Sequence, residues 1–481
     1  MNVLFVYSLQ DYESCEKPLQ TLGQIQFGIS YISSYLKAHE HNTRLLVLTR
    51  ATKDSVIDKY LETFRPELIC FTAVATEFDF ILDRARYIKS RYKHAFLIIG
   101  GVHVSLNPDD SILDVFDALC IGEGEIPTLE LVRQLEKRTS PSGIANLWIK
   151  QGNKIEKNPT APFLKDIDSL PFPDREMWFD WVSNVSTRCY ILLARGCPFN
   201  CTYCCNHALR KLSKGSYVRM RSPENIITEL EEIIKKIPNV KEVYLEVETF
   251  GANMAWAIDL CSALAAFNKK NDNSLSYGVN LRITPNGKYE ELFSAMKESS
   301  FSYINIGLES GSERVRREIL RRNYSNQNII DAVELARTYG LKVCFYNLIG
   351  IPGETFEDFK ETIRMNRINL PDWHYLSIFF PYPGTDLYFL CKEKGLLKQD
   401  LNPGMERRQS VLDLHGFSRK QIQKGFIWFD YYAFKGYLPL HKILARVFVN
   451  KLHSSYYLNR LYRFFTRYRI FRSLKQFFKS Y

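Results

Sequence analysis

A chain of 481 residues, 46% apolar and 24% charged, has the makeup of a soluble globular protein and is too long for one ordinary core, so two or three domains are expected. The formal net charge of +11 belongs to one end: eleven Lys and Arg and no Asp or Glu fall between Tyr431 and Tyr481, and the rest balances 53 basic against 53 acidic residues. No run approaches the ~18 to 20 apolar residues of a spanning helix, the start lacks a basic n-region, and the eleven cysteines lie mostly isolated in apolar segments, so neither a membrane span, a secretory signal nor a disulfide framework is expected.

A cytoplasmic protein follows from that pattern. Over residues 1–140, MNVLFVYS opens as a buried parallel strand would, and similar runs recur at 44–48, 68–74, 95–100 and 118–121. Between them, IDKYLETF and FILDRARYIKSRY repeat apolar residues at three and four. Strands alternating with helices predict a doubly wound parallel sheet, whose ligand sits beyond the carboxyl ends of the strands. Those ends read FTAVAT (71–76), GGVHVSLNP (100–108) and IGEGE (121–125). Their glycines allow close backbone approach to a bulky ligand, and equally allow tight βα turns.

Gly100-Gly101-Val102-His103-Val104 with Asn107-Pro108, and Gly122-Glu123-Gly124-Glu125 opening the next helix, resemble the cobalamin-binding domain found ahead of many radical enzymes. The resemblance implies cobalamin contacts at Thr72, Gly100, Gly101, His103, Gly122, Glu123 and Gly124. The D-x-H-x-x-G motif that supplies a histidine to cobalt in some cobalamin proteins is absent, and no histidine occurs before His39. Cobalamin is therefore expected without a histidine below the cobalt, and His103 reads as a turn histidine bonded to backbone.

Residues 141–185, with Pro159, Pro162, Pro171 and Pro173, read as a linker. Beyond it, apolar runs at 189–194, 240–246, 276–283, 302–309, 341–350 and 374–380 alternate with helical stretches such as ENIITELEEIIKKI. Six units predict a partial (β/α)6 barrel of the TIM type over 186–385, with its active site at the carboxyl ends of the strands. RGCPFNCTYC follows the first strand, so Cys197, Cys201 and Cys204 fall where chemistry is expected.

Their spacing is C-x3-C-x2-C, with Cys205 adjacent. Structural zinc wants four ligands, commonly as two separated C-x2-C pairs, and no second pair exists. A thioredoxin-type pair would leave Cys197 idle. Iron-sulfur clusters take thiolates and normally four of them; three leave one iron open to a chelating ligand. Cys197-Pro-Phe-Asn-Cys201-Thr-Tyr203-Cys204 closely resembles the signature of the radical S-adenosylmethionine superfamily. That resemblance implies that Cys197, Cys201 and Cys204 ligate a [4Fe-4S] cluster, that Tyr203 flanks the adenine, and that Cys205 is a bystander.

The likeness continues through Gly307-Leu-Glu309-Ser310-Gly311, Gly350-Ile-Pro352-Gly353-Glu354-Thr355 and Pro381-Tyr-Pro383-Gly384-Thr385. It implies S-adenosylmethionine contacts at Tyr203, Glu248, Glu309, Ser310, Gly350 and Gly353, with Arg282 and Arg322 as candidates for the cofactor carboxylate. Glu248-Thr-Phe250 keeps one acid of the family's acidic pair. An electron donor such as flavodoxin or ferredoxin is implied as a partner.

Residues 386–481 are expected to be helical, and the tail 431–481 interleaves its basic residues with fifteen aromatics. A basic amphipathic helix of this kind suits a membrane interface; a helical cap on the barrel and nucleic-acid binding are the competing readings. The combined expectation is a cobalamin-dependent radical enzyme that forms a 5′-deoxyadenosyl radical and methylates an unactivated carbon of a small-molecule or lipophilic substrate, in the cytoplasm or at the inner face of the membrane. Cyclases of the same family, with or without cobalamin, and a non-catalytic iron-sulfur or nucleic-acid-binding scaffold are the alternatives; no catalytic side chain is assigned.

Overall fold

The computed structural model describes residues 1–10, 17–184, 188–271, 275–397, 403–455 and 457–459. The chain divides into two compact units: Met1–Pro198 with Cys205–Val240, and Phe199–Cys204 with Lys241–Tyr481.

The first unit is built on a seven-stranded sheet. Strands β1 (Asn2–Leu9), β2 (Asn42–Thr49), β3 (Leu68–Thr72), β4 (Phe96–Gly100) and β5 (Ala118–Cys120) run parallel in the order β2-β1-β3-β4-β5. They are buried on both faces, which is why they read as continuous apolar runs rather than alternating ones. Leu4, Val6, Leu46, Ile69, Leu97 and Ile99 share one core with Ile57, Leu61, Ile81 and Ile88 of the crossover helices Asp54–Phe64 and Phe78–Arg91. The strand order reverses between β1 and β3, so a crevice opens at the carboxyl ends of those strands.

The proline-rich stretch expected as a linker carries structure. β6 (Leu147–Gln151) and β7 (Lys154–Lys157) form an antiparallel hairpin that extends the sheet beyond β5. Leu147 and Ile149 are buried while Lys150 and Gln151 are exposed, a short alternation that proline-rich neighbours mask. Farther on, Asp174 accepts from Ser33 Oγ (2.7 Å) and pairs with Lys37 (2.7 Å), fastening residue 174 to the helix Phe27–Lys37. The unit also contains β8 (Arg188–Leu192) and the two-residue pair β9 (Ala194–Arg195) and β10 (Arg219–Met220).

The second unit holds β11 (Glu242–Glu246), β12 (Ser276–Leu281), β13 (Phe301–Glu309), β14 (Lys342–Ile349) and β15 (Trp373–Ile378), parallel and side by side in chain order. Helices Met254–Lys270, Tyr289–Glu298, Asn326–Thr338 and Phe356–Asn369 connect them, as in a barrel of βα units. Five of the six expected barrel strands lie here; β8, the first, is counted with the other unit. Helices Asp386–Glu393, Arg419–Phe434 and Leu440–His453 follow, joined by turns and irregular chain, so the region expected to be helical is so in part among the described residues; residues 460–481 of the basic tail lie outside them.

Candidate active site

In the first unit, β3 and β4 end at Thr72 and Gly100, beside the β1/β3 switch. Gly101 has φ +97°, and a Cβ there would come 2.8 Å from both Ala73 O and Thr72 Oγ1. A side chain at this position is therefore shut out, leaving bare backbone at the strand ends. His103 opens the turn after it, with its ring 4.4 Å from that of Phe78 and its Nδ1 buried without a partner. Burial holds this imidazole below its ordinary range, hence neutral. The bond to backbone expected of this histidine is not made by its Nδ1; the residue's amide donates to Ala73 O at 3.3 Å.

Gly122 has φ +88°, and its amide donates to Ser105 Oγ at 3.0 Å. Gly124 packs so closely that a Cβ would lie 2.7 Å from Ile32 Cδ1. Thr72, Gly100, Gly101, His103 and Gly122 thus gather at one end of the sheet, a cradle suited to a large planar cofactor. Glu123 is different. Its carboxylate accepts from Arg195 (3.0 Å), from Arg219 (2.8 and 3.0 Å) and from the amide of Leu164 (2.9 Å). Burial would raise its pKa, but Arg195 and Arg219 hold it below the usual carboxylate range. The residue expected among the cobalamin contacts is engaged instead with the strand that leads into the cysteine loop.

Glu125 takes the other fork of Arg195 at 2.6 Å. Next along, Gly196 has φ +83°, and a Cβ there would be 2.1 Å from Tyr217 O. Cys197 follows directly, so its approach is fixed by an ion-paired arginine and a glycine that admits no side chain.

In the second unit, Cys201 is buried, and Thr202 anchors it: its hydroxyl donates to Ile319 O (2.7 Å) and its carbonyl accepts from Leu387 N (3.0 Å). Arg282, at the end of β12, places Nη1 2.9 Å from Cys201 Sγ and stacks 3.7 Å over the ring of Phe199. Arg322 reaches the same sulfur at 3.8 Å, and also donates to Tyr203 Oη (3.0 Å), Gly307 O (2.8 Å) and Tyr324 Oη (3.0 Å). Glu309, at φ +58°, approaches it to 3.3 Å. Burial pushes the Tyr203 phenol up, so it stays neutral beside the guanidinium.

Arg282 and Arg322 thus converge on Cys201, a residue type that iron-sulfur clusters take as ligand. Among the described residues no three His, Cys, Asp or Glu side chains stand in metal-ligating geometry. The buried sulfur between two guanidiniums nevertheless suits a cluster thiolate.

The other motif residues rim the same strand ends. Glu248 is exposed, while Thr249 Oγ1 accepts from Arg282 N (2.9 Å) and Phe250 is fully buried. The acid is therefore presented by a loop tied to β12. Ser310 is fully buried; its hydroxyl accepts from Ser312 N at 3.2 Å. Gly350 and Gly353 have φ +75° and +86°, and the Gly350 and Ile351 amides donate to the buried carboxyl of Glu354. Desolvation raises that carboxyl to about 8. Asp358 joins the two motifs: it accepts from Ser312 Oγ (2.6 Å), Arg314 (2.5 Å) and Thr355 Oγ1 (2.7 Å).

The sequence reading missed the polar face of this sheet. Tyr244 Oη donates to Asn280 Oδ1 (2.6 Å) and accepts from Asn305 Nδ2 (3.0 Å). Tyr303 stands edge-on to Trp373, and Tyr346 pairs with Tyr375 at 5.5 Å. Glu246, half-buried, is raised to about 7 by desolvation and by Glu248. The signal was alternation: Tyr244/Glu246, Asn280/Arg282 and Tyr303/Asn305 recur every second residue within strands that otherwise read as apolar.

Residues 191–365 match the radical SAM superfamily model and residues 24–132 match the B12 binding domain model. An uncharacterized methyltransferase of Pyrococcus horikoshii is 28% identical over 429 residues, covering 88% of this chain and 90% of that one. The hopanoid C-3 methylase of Methylococcus capsulatus is 26% identical, covering 75% and 67%. The solved cobalamin-dependent S-adenosylmethionine radical enzyme OxsB, with aqua-cobalamin bound, superposes with a TM-score of 0.71 over 97% of this chain and 75% of that one at 16% identity, a likeness of fold. With the B12-type sheet and the cysteine loop in one chain, the protein belongs to the radical S-adenosylmethionine enzymes that carry a cobalamin-binding domain, whose cofactors are a [4Fe-4S] cluster, S-adenosylmethionine and cobalamin.

Proposed function

We propose that the protein methylates an unactivated carbon of a small, largely apolar substrate. The observation that carries this is Cys201 held between Arg282 and Arg322 in a chain whose other unit offers a side-chain-free crevice at Gly100–Gly101. When bound, the cluster and S-adenosylmethionine supply a radical that removes hydrogen from carbon, and cobalamin carries the methyl group.

The chain's own residues do the rest. Cys197, Cys201 and Cys204 hold the cluster, and the two arginines balance its thiolate charge. Tyr203, Glu248, Glu309, Gly350 and Gly353 border the nucleoside and methionine parts of the cofactor; Thr72, Gly100, Gly101, His103 and Gly122 line the cobalamin face. Tyr244, Tyr303, Tyr346 and Tyr375 offer an aromatic wall for substrate, with Asn280 and Asn305 to fix orientation. Glu246, titrating near neutrality, is placed to hold or release a proton. An apolar substrate agrees with that wall, with the relative named a hopanoid methylase, and with a basic tail suited to a membrane surface. A small flavodoxin- or ferredoxin-type protein is the expected electron source.

The test is anaerobic reconstitution with iron, sulfide and cobalamin, followed by assay on metabolites that accumulate in a deletion strain. A product heavier by one methyl group per turnover supports methylation. A product formed without added methyl identifies a cyclase, and S-adenosylmethionine cleavage undiminished in Cys201→Ala removes the whole reading.

A further inference from the structure

Helix Leu440–His453 buries one side only. Ile443 and Val447 enter a core with Phe429, Ala433 and Phe434, and Arg446 (3.3 Å) and Asn450 (3.1 Å) bond to Asp430 of the preceding helix. The neighbouring face, about 80° round the axis, shows Leu440, Leu444 and Phe448, which are 54%, 44% and 61% exposed. At a spacing of four they form one stripe along the axis. Tyr437 and Leu438, in the turn just before, add to it. A continuous row of large apolar groups facing water marks a surface that meets something.

Charge identifies what. Lys435, Lys442 and Lys451 flank the stripe in sequence while Arg446 is paired with Asp430, seven further Lys and Arg lie in 460–481, and no acid occurs anywhere from 431 onward. His441 and Lys451 are exposed on the helix itself. We infer that this helix lies in the interface of an anionic phospholipid bilayer, with Leu440, Leu444 and Phe448 at the acyl boundary and the basic residues among the headgroups. The occupant is lipid rather than nucleic acid because Leu440 and Leu444 offer bases neither a stacking ring nor a hydrogen bond. Among the described residues no helix is long and apolar enough to cross the membrane, so the contact is superficial. This inference stands apart from the radical chemistry: vesicle binding and S-adenosylmethionine cleavage are read separately.

Flotation of the full chain with phosphatidylcholine–phosphatidylglycerol vesicles, against phosphatidylcholine alone, tests it. Binding is expected only with the anionic vesicles, weakening with salt. Leu444→Gln with Phe448→Gln, both at exposed positions, should lower the partition coefficient about tenfold or more with unchanged circular dichroism and S-adenosylmethionine cleavage. Three results overturn the proposal: no flotation with anionic vesicles, a double variant that floats like the parent, or single-stranded RNA that strips the protein from vesicles at equal anion concentration. A fourth does so by naming another occupant: if deleting 460–481 raises binding to neutral vesicles, the chain's own tail covers the stripe.

Discussion

Cys201 illustrates how much one residue's surroundings decide. Its sulfur faces Arg282 at 2.9 Å and Arg322 at 3.8 Å, but the two arginines differ in what else they hold. Arg322 is buried and donates to Tyr203, Gly307 and Tyr324, so Arg322→Met strands several polar groups and should cost about 3 kcal/mol or more in chemical denaturation. Arg282→Met leaves fewer orphans. The reconstituted variant should keep its iron but show a more negative cluster midpoint in a redox titration, because a cation beside a cluster thiolate favours the reduced state. Glu246 supplies a pH prediction. Its folded pKa of about 7 lies above the ordinary carboxyl value of 4.5, so the folded state binds the proton more tightly. Stability from this group is complete below 4.5 and is lost as pH rises through 7; the melting temperature of Glu246→Gln should fall less across that window.

At the scale of elements, the loops are held by particular contacts. Asp358 ties the segment after β13 to the loop after β14 through Ser312, Arg314 and Thr355. Its pKa is about 2: burial opposes this, but Arg314, Ser312 and Thr355 outweigh it. The stability it contributes is present above the ordinary value of 3.8 and disappears as pH falls through 2. Asp358→Asn should cost about 1 to 3 kcal/mol at neutral pH and flatten the acid limb of the unfolding curve. In the B12-type sheet, Gly101→Ala meets two oxygens at 2.8 Å from a φ of +97°, so it should both destabilise the unit by about 1 to 3 kcal/mol and reduce cobalamin uptake on reconstitution. Glu123 acts between elements as well, since Arg195 and Arg219 come from separate short strands. Removing its charge leaves both with one acceptor fewer beside the loop that starts at Cys197.

Across the whole molecule charge is segregated: residues 1–430 balance 53 basic against 53 acidic side chains, and the C-terminal end carries the entire excess of eleven basic residues. Deletion of 460–481 removes seven of those eleven, and elution from a cation exchanger should move to markedly lower salt. Each unit has its own core, so a probe in one sheet is expected to report that sheet's unfolding.

What the sequence determined by itself is whatever short range controls. Three cysteines within eight residues, glycines at strand ends and the alternation of apolar strands with amphipathic helices need no partner to be recognised, so both parallel sheets and the cysteine loop were legible. The tertiary structure alone decided the rest, because its contacts join residues that sequence keeps apart. Arg282 lies 81 positions from Cys201, Arg322 lies 121 from it, and Arg195 lies 72 from Glu123. Prolines hid the hairpin at 147–157, since their spacing imitates a linker while the buried Leu147 and Ile149 complete a sheet edge. The stripe on Leu440–His453 shows the same division: periodicity reveals an amphipathic helix, but only packing shows that Ile443 and Val447 face the core and leave Leu444 and Phe448 in water.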